Sequence, residues 1–219
     1  MTSTRQAYNQ ELEDLRQKIL AMGTLVGNAI EAAVQALAKQ DEELARSVMD
    51  GDDVIDALEV DIEDKCMVLI ARQQPLARDL RIIGTGLKIT TDLERMGDHA
   101  FDIAKITGRI AHQPLIKPLI DIPRMAEMAQ QMLKDSLNAY ISLDITLAEQ
   151  VCRADDEVDN LYQQIFRELL TYMMEDPHTI SQATDIIFVG RYLERIADHA
   201  TNIGEWVIYL VTGQRLRKN

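Results

Sequence analysis

Cysteine, proline and aromatic residues are all scarce in this 219-residue chain. The two cysteines, Cys66 and Cys152, have no CxxC spacing. They offer neither a disulfide framework nor a thiolate metal site, and two buried free thiols suit a reducing compartment. Aromatic residues make up only 5% of the chain, and proline and glycine together only fifteen residues, which argues against a sheet-rich, turn-rich protein. No P-loop, dinucleotide-binding glycine motif or GxSxG occurs, so a nucleotide enzyme or hydrolase has no sequence support. No apolar run approaches the roughly 18 residues of a spanning helix, and Met1-Thr2-Ser3-Thr4-Arg5 leads directly into polar helical sequence. A soluble, cytoplasmic protein without membrane insertion is expected.

Basic charge is also in short supply. Twenty-three lysines and arginines face 36 acidic residues, a net charge of −13 that repels a nucleic-acid backbone. The basic clusters are short, Arg78 and Arg81 with Lys88, and the tail Arg215, Arg217 and Lys218. Both read as solvated surface.

What is abundant is the helix-forming set Ala, Leu, Ile, Met, Glu, Gln and Arg. Leu12, Leu15, Ile19, Met22, Val26, Ile30, Val34 and Leu37 recur in steps of three and four, which predicts a helix from Tyr8 to Lys39 with one apolar seam. A second helix is expected from Asp41 to Gln73, and a third from Pro75, a good first-turn residue, to Ile110. HQPLIKPLIDIP, from His112 to Pro123, holds three prolines and reads as a stiff connection. Three more helices follow, near Arg124 to Ile141, Asp144 to Met174 and His178 to Leu210. The expected fold class is all-α, two tandem homologous three-helix bundles of long antiparallel helices, with repeats at 1–112 and 124–219 joined by 113–123.

The duplication is written in the letters. Leu93-Glu94-Arg95-Met96-Gly97-Asp98-His99-Ala100 returns 100 residues later as Leu193-Glu194-Arg195-Ile196-Ala197-Asp198-His199-Ala200. Asp52-Asp53-Val54-Ile55-Asp56-Ala57-Leu58 is answered by Asp155-Asp156-Glu157-Val158-Asp159-Asn160-Leu161. A period of this size marks a duplicated domain, not a short solenoid repeat.

Four like-charge pairs sit one helical turn apart: Asp52 with Asp56, Glu94 with Asp98, Asp155 with Asp159, and Glu194 with Asp198. At about 100° per residue, Glu94 and Asp98 continue a stripe through Leu76, Leu80, Ile83, Leu87 and Phe101, whereas Arg95, His99, Lys88 and Arg81 gather on another side. Paired like charges call for a cation nearby. Lysine and arginine from neighbouring helices could supply it, or a metal ion in an oxygen-ligand site built between facing helices. Carboxylates without thiolates favour magnesium, calcium, manganese or iron. The ExxH spacing of di-iron bundles is missing, and His99 and His199 are expected on the surface or facing a partner rather than on a metal.

The ERxxDH segments at 94–99 and 194–199, the stretch RQQPLARDLR from Arg72 to Arg81 and the two acidic second helices resemble the PhoU family. The resemblance implies a two-by-three helix bundle and a non-enzymatic regulator of phosphate uptake and of the phosphate-starvation response. Its implied partners are the ATPase subunit of the phosphate transporter, a sensor histidine kinase and a second copy of itself. It further implies metal ions, iron or another oxygen-preferring divalent cation, at Asp52, Asp56, Glu94, Asp98, Asp155, Asp159, Glu194 and Asp198. Asp102 is answered by Asn202, so the two acidic clusters need not carry equal charge. Taken without the resemblance, spacing and periodicity leave a helical metal-binding adaptor and a carboxylate-bridged metalloprotein as competing classes.

Overall fold

The computed structural model describes residues 2–215, with side chains from residue 5 onward; Arg217 and Lys218 of the basic tail lie outside the described residues. Six helices make up the described chain: α1 (Thr2–Lys39), α2 (Glu42–Gln73), α3 (Arg78–Ile110), α4 (Asp121–Ser142), α5 (Ile145–Glu175) and α6 (Ile180–Thr212). One 3-10 turn, Pro177–Thr179, precedes α6, and no strand occurs among the described residues. Helices α1 to α3 pack together as one bundle and α4 to α6 as the other, and the two bundles meet where α3 runs against α6 and α1 against α4.

In each bundle the first helix turns into the second through the same corner. Gln40 and Leu143 take left-handed φ values of 54° and 56°, and the next residue, Asp41 or Asp144, caps the following helix. Asp41 accepts from the Leu44 amide at 3.0 Å and Asp144 from the Leu147 amide at 3.1 Å, each satisfying an amide that helix geometry leaves unpaired. The core of α1 is the seam expected from its periodicity. Leu15, Ile19, Met22, Val26, Ile30 and Leu37 are fully buried. By composition α1 is also long and apolar enough to cross a membrane, contrary to the sequence expectation, but in this fold that apolar face is bundle core.

Three boundaries shift from their expected places. α3 begins at Arg78 rather than Pro75, because Gln74 turns left-handed (φ 44°) to close α2 through its amide and Ile70 O, and Ala77 turns again (φ 45°). α4 begins at Asp121, so Pro123 lies in its first turn, where a missing N–H costs nothing. α1 starts at Thr2, ahead of Tyr8. The stripe on α3 needs revision as well. Leu76 and Leu80 are exposed, while the helix buries Ile83, Ile89, Leu93, Met96, Ala100, Ile103 and Ile110, a broad face because α3 touches α1, α2 and α6 at once.

The connection between bundles is anchored by two glutamines. Gln40 Nε2 donates to Ile110 O at 3.1 Å and to Gln113 O at 2.7 Å. The buried Gln182 accepts from the Ile116 amide at 2.6 Å and donates to Pro114 O at 3.0 Å.

Candidate functional site: two acidic clusters and the seam between them

The carboxylates fall into two groups, one in each bundle. In the first, α2 runs against α3 so that Asp52 lies near Asp98 and Asp102, while Asp56 and Glu59 lie near Glu94 and Asp98. Gly97 lets the helices approach here. A Cβ at that position would sit 3.2 Å from Ile55 Cδ1 and 3.6 Å from Asp52 Oδ1. Burial, reinforced by Asp56 and Asp98, pushes the Asp52 carboxyl up to about 6. Burial, reinforced by Asp98, pushes Glu94 up to about 7. Glu59 is raised by burial and then by Glu63 and Asp56. In the second group Glu194 is raised chiefly by burial, with Asp198 and Asp159 adding to the shift and Arg191 opposing it. Asp155 is buried beside them on α5, and Asp159 is exposed.

The eight expected residues are thus divided four and four, with Asp56 and Asp159 at the solvent edge. Arg95 turns toward the carboxylates instead of away from them. Its Nε lies 3.3 Å from Glu94 Oε2 and its Nη1 donates to Asp98 Oδ2 at 3.0 Å. Arg191 pairs with Glu194 in the second cluster. A long guanidinium side chain reaches carboxylates roughly 60° to 100° away around a helix, which a projection of Cα positions does not capture.

Glu59 escaped sequence reasoning. It sits three residues after Asp56 on the same face, but its counterpart in the second bundle is Tyr162, whose ring packs on Gly190, so repetition did not flag it. With Asp102 answered by Asn202, the first cluster holds six carboxylates, Asp52, Asp56, Glu59, Glu94, Asp98 and Asp102, where the second holds Asp155, Asp159, Glu194 and Asp198.

The donor set suits a hard divalent cation, and Glu94 Oε2 and Glu194 Oε2 are buried without a hydrogen bond. Among the described residues, however, no three Asp, Glu, His or Cys side chains stand in a coordinating arrangement. The guanidiniums of Arg95 and Arg191 take the cation's part in this conformation.

His99 and His199 are not surface residues. They face each other across α3 and α6 with ring centroids 5.8 Å apart, and His199 is buried. Asp92 Oδ1 accepts from His199 Nδ1 at 2.9 Å and from Asn202 Nδ2 at 3.2 Å. The pseudo-twofold mate of this triad is Tyr192, His99 and Asp102: Tyr192 stacks on His99 at 5.5 Å and hydrogen-bonds Asp102. Both nitrogens of His99 are buried without a partner. Burial, together with His199, Arg195 and Arg95, lowers its pKa to about 4, so the ring is neutral at physiological pH. Farther along the seam Arg109 pairs with Asp185 at 2.7 Å. Sequence repetition could not find this network, because Asp92 and Tyr192 occupy equivalent positions with different side chains.

Fold and clusters define a class: a duplicated bundle of long antiparallel helices with an acidic α2–α3 face in each half. The PhoU domain family matches residues 19–107 and 122–207, one copy in each bundle, and the chain belongs to that family. The phosphate-specific transport system accessory protein PhoU homolog of Clostridium acetobutylicum is 44% identical over 220 aligned positions, covering 99% of both chains. The homolog of the same name from Aquifex aeolicus is 48% identical, covering 94% of this chain and 93% of its own. The crystal structure of PhoU from Pseudomonas aeruginosa superposes with a TM-score of 0.91 at 42% identity, over 94% of this chain and all of that one. The phosphate transport system regulatory protein PhoU from Streptococcus pneumoniae superposes with a TM-score of 0.90 at 31% identity, over 96% of this chain and all of that one.

Proposed function

We propose that this protein regulates phosphate uptake and the phosphate-starvation response from the cytoplasm, by contact with the ATPase subunit of a phosphate transporter and with a sensor histidine kinase, and without catalysing a reaction. The observation that carries the reading is end-to-end similarity to relatives named as phosphate-specific transport accessory proteins. Supporting it, the net charge of −13 disfavours nucleic acid, and the long helices leave extended faces free for protein contact. A homodimer belongs to the same proposal. Because His99 and His199 are committed to the seam, the surface offered to partners by the repeated motif is that of the exposed Arg95 and Arg195. The test is to delete the gene under ample phosphate, follow starvation-response output and phosphate uptake, and probe the purified protein for binding to the ATPase and to the kinase. Unchanged output with no contact to either partner overturns the reading.

We further propose that the acidic clusters take an oxygen-preferring divalent cation or iron. Asp52, Asp56, Glu94 and Asp98 would hold it in the first bundle, and Asp155, Asp159, Glu194 and Asp198 in the second. The support is the buried oxygens of Glu94 and Glu194 that accept no hydrogen bond and the upward push on Asp52 and Glu94. A bound cation would supply the positive charge that these carboxylates lack, and Arg95 and Arg191 would swing to solvent. Elemental analysis for iron, manganese, zinc, magnesium and calcium after gentle purification decides it, repeated with Glu94→Ala and Asp198→Ala. A wild-type protein that takes up none even on reconstitution, beside more stable variants, leaves the arginines as the only counter-charge.

A further inference from the structure

We propose that Arg16, Arg78 and Arg81 form a binding site for a multiply charged phosphate-type oxyanion at the junction of the two bundles, remote from the acidic clusters. These three arginines, with Ile82, Leu143, Leu210 and Val211, line a cavity of about 350 Å³. No carboxylate is among the lining residues, although the protein as a whole is strongly acidic.

Each guanidinium is placed differently. Arg16 is held by Tyr140, whose ring lies 5.8 Å from its guanidinium carbon and whose hydroxyl hydrogen-bonds it, and its carboxylate neighbour Glu13 stands 3.7 Å away. Arg81 is half-buried, and its Nε has no hydrogen-bond partner. Its Nη1 lies 3.2 Å from where a Cβ on Gly213 would be, at the left-handed residue (φ 74°) that ends α6. Arg78 opens α3, whose N-terminal end carries the positive pole of the helix dipole. Neither Arg78 nor Arg81 forms an ion pair among the described residues; nearby Asp79 pairs with Arg5 instead. Two guanidiniums without counter-ions, beside a third that Tyr140 holds in place, can bind phosphate oxygens bidentately.

The internal repeat supplies the second observation. At the equivalent place in the other bundle, Gln40 stands for Leu143, Gln182 for Ile82, and Ile110 for Leu210. There the two glutamines hold the returning chain from Ile110 to Ile116 across the junction. Here the glutamines are replaced by Leu and Ile, which cannot hold a backbone, and arginines replace His178 and Ser181. The position that a connecting segment fills in one half is, in the other, a cationic cavity suited to an anion.

Titration calorimetry with inorganic phosphate and, separately, pyrophosphate, at matched ionic strength and with a chelator present, tests the site. Saturable binding is expected, with pyrophosphate the tighter because it engages more guanidinium hydrogen bonds. R81Q and R78Q should each weaken it about tenfold or more. R153Q, on an exposed stretch of α5, should leave binding unchanged. Arg78 is exposed, so R78Q keeps the experiment decisive if R81Q perturbs folding. Absence of saturable binding by both anions, or equal binding by wild type, R78Q and R81Q, overturns the proposal. Because no partner protein enters the assay, its outcome is independent of the regulatory reading above.

Discussion

Replacing Glu94 by glutamine should make the protein more stable at alkaline pH and leave it nearly unchanged in acid. Glu94 is only 15% exposed, and burial beside Asp98 raises its pKa from an ordinary 4.5 to about 7. The folded state therefore favours the protonated carboxyl. Its penalty is absent below 4.5, grows as pH rises toward 7, and is complete above it. The rise corresponds to about 3 kcal/mol, and residual solvent access with the Arg95 contact reduces this to about 1–2 kcal/mol. Glutamine removes the charge, keeps the shape and forfeits an exposed ion pair of roughly 0.5 kcal/mol. For a chain of this length the net gain at pH 8 is about 1–6 °C in Tm, read by thermal melts of wild type and E94Q in chelator at pH 4.5, 6 and 8. A difference that opens with pH is expected. A Tm for E94Q at or below wild type at pH 8, or a gain independent of pH, would refute the reasoning, since Glu94 would then be fully compensated by Arg95.

Asp92→Ala should cost about 2–4 kcal/mol by urea unfolding, because His199 Nδ1 and Asn202 lose their shared acceptor inside the seam; Asp92→Asn should cost less. Gly51→Ala, in open space on α2, should gain about 0.5–1 kcal/mol, whereas Gly204→Ala should lose about 1–3 kcal/mol because its Cβ would lie 3.1 Å from Ala148 O; paired denaturant curves check the opposite signs. Gln182→Ala should cost about 1–3 kcal/mol and speed proteolysis between Ala111 and Ile120, as the Ile116 amide and Pro114 carbonyl lose their partner.

Much of the bundle could be read from periodicity, because the apolar spacing of α1 forms one seam that maps directly onto burial against α2, α3 and α4. α3 could not be read that way. It is packed by α1, α2 and α6, so threonines, glycines and Asp92 share its buried surface and the strongest apolar stripe on a wheel was not its core. The acidic pairs were legible because duplication repeated them. Glu59, Asp92 and the arginine cavity were not, since each is a place where the halves differ: Glu59 against Tyr162, Asp92 against Tyr192, Arg81 against Ser181. The histidines were misplaced for a related reason, as burial between α3 and α6 depends on how one bundle docks on the other, which no single helix encodes.

The seam also sets how far apart the two acidic clusters are for any mechanical signal. Asp98 is bonded in sequence to His99, His99 faces His199, and His199 adjoins Asp198, so four side chains on two rods span the distance from one cluster to the other. Adjacent helical residues turn together, about 100° apart on a stiff axis. A cation or partner that rotates α3 to reorganise Asp98 must carry His99 with it, and the packed rings transmit that torque to α6 or else break contact. The halves are therefore joined like meshed teeth at the His99–His199 contact, and the Asp92–His199 hydrogen bond is the latch that any rotation of α3 against α6 has to lift.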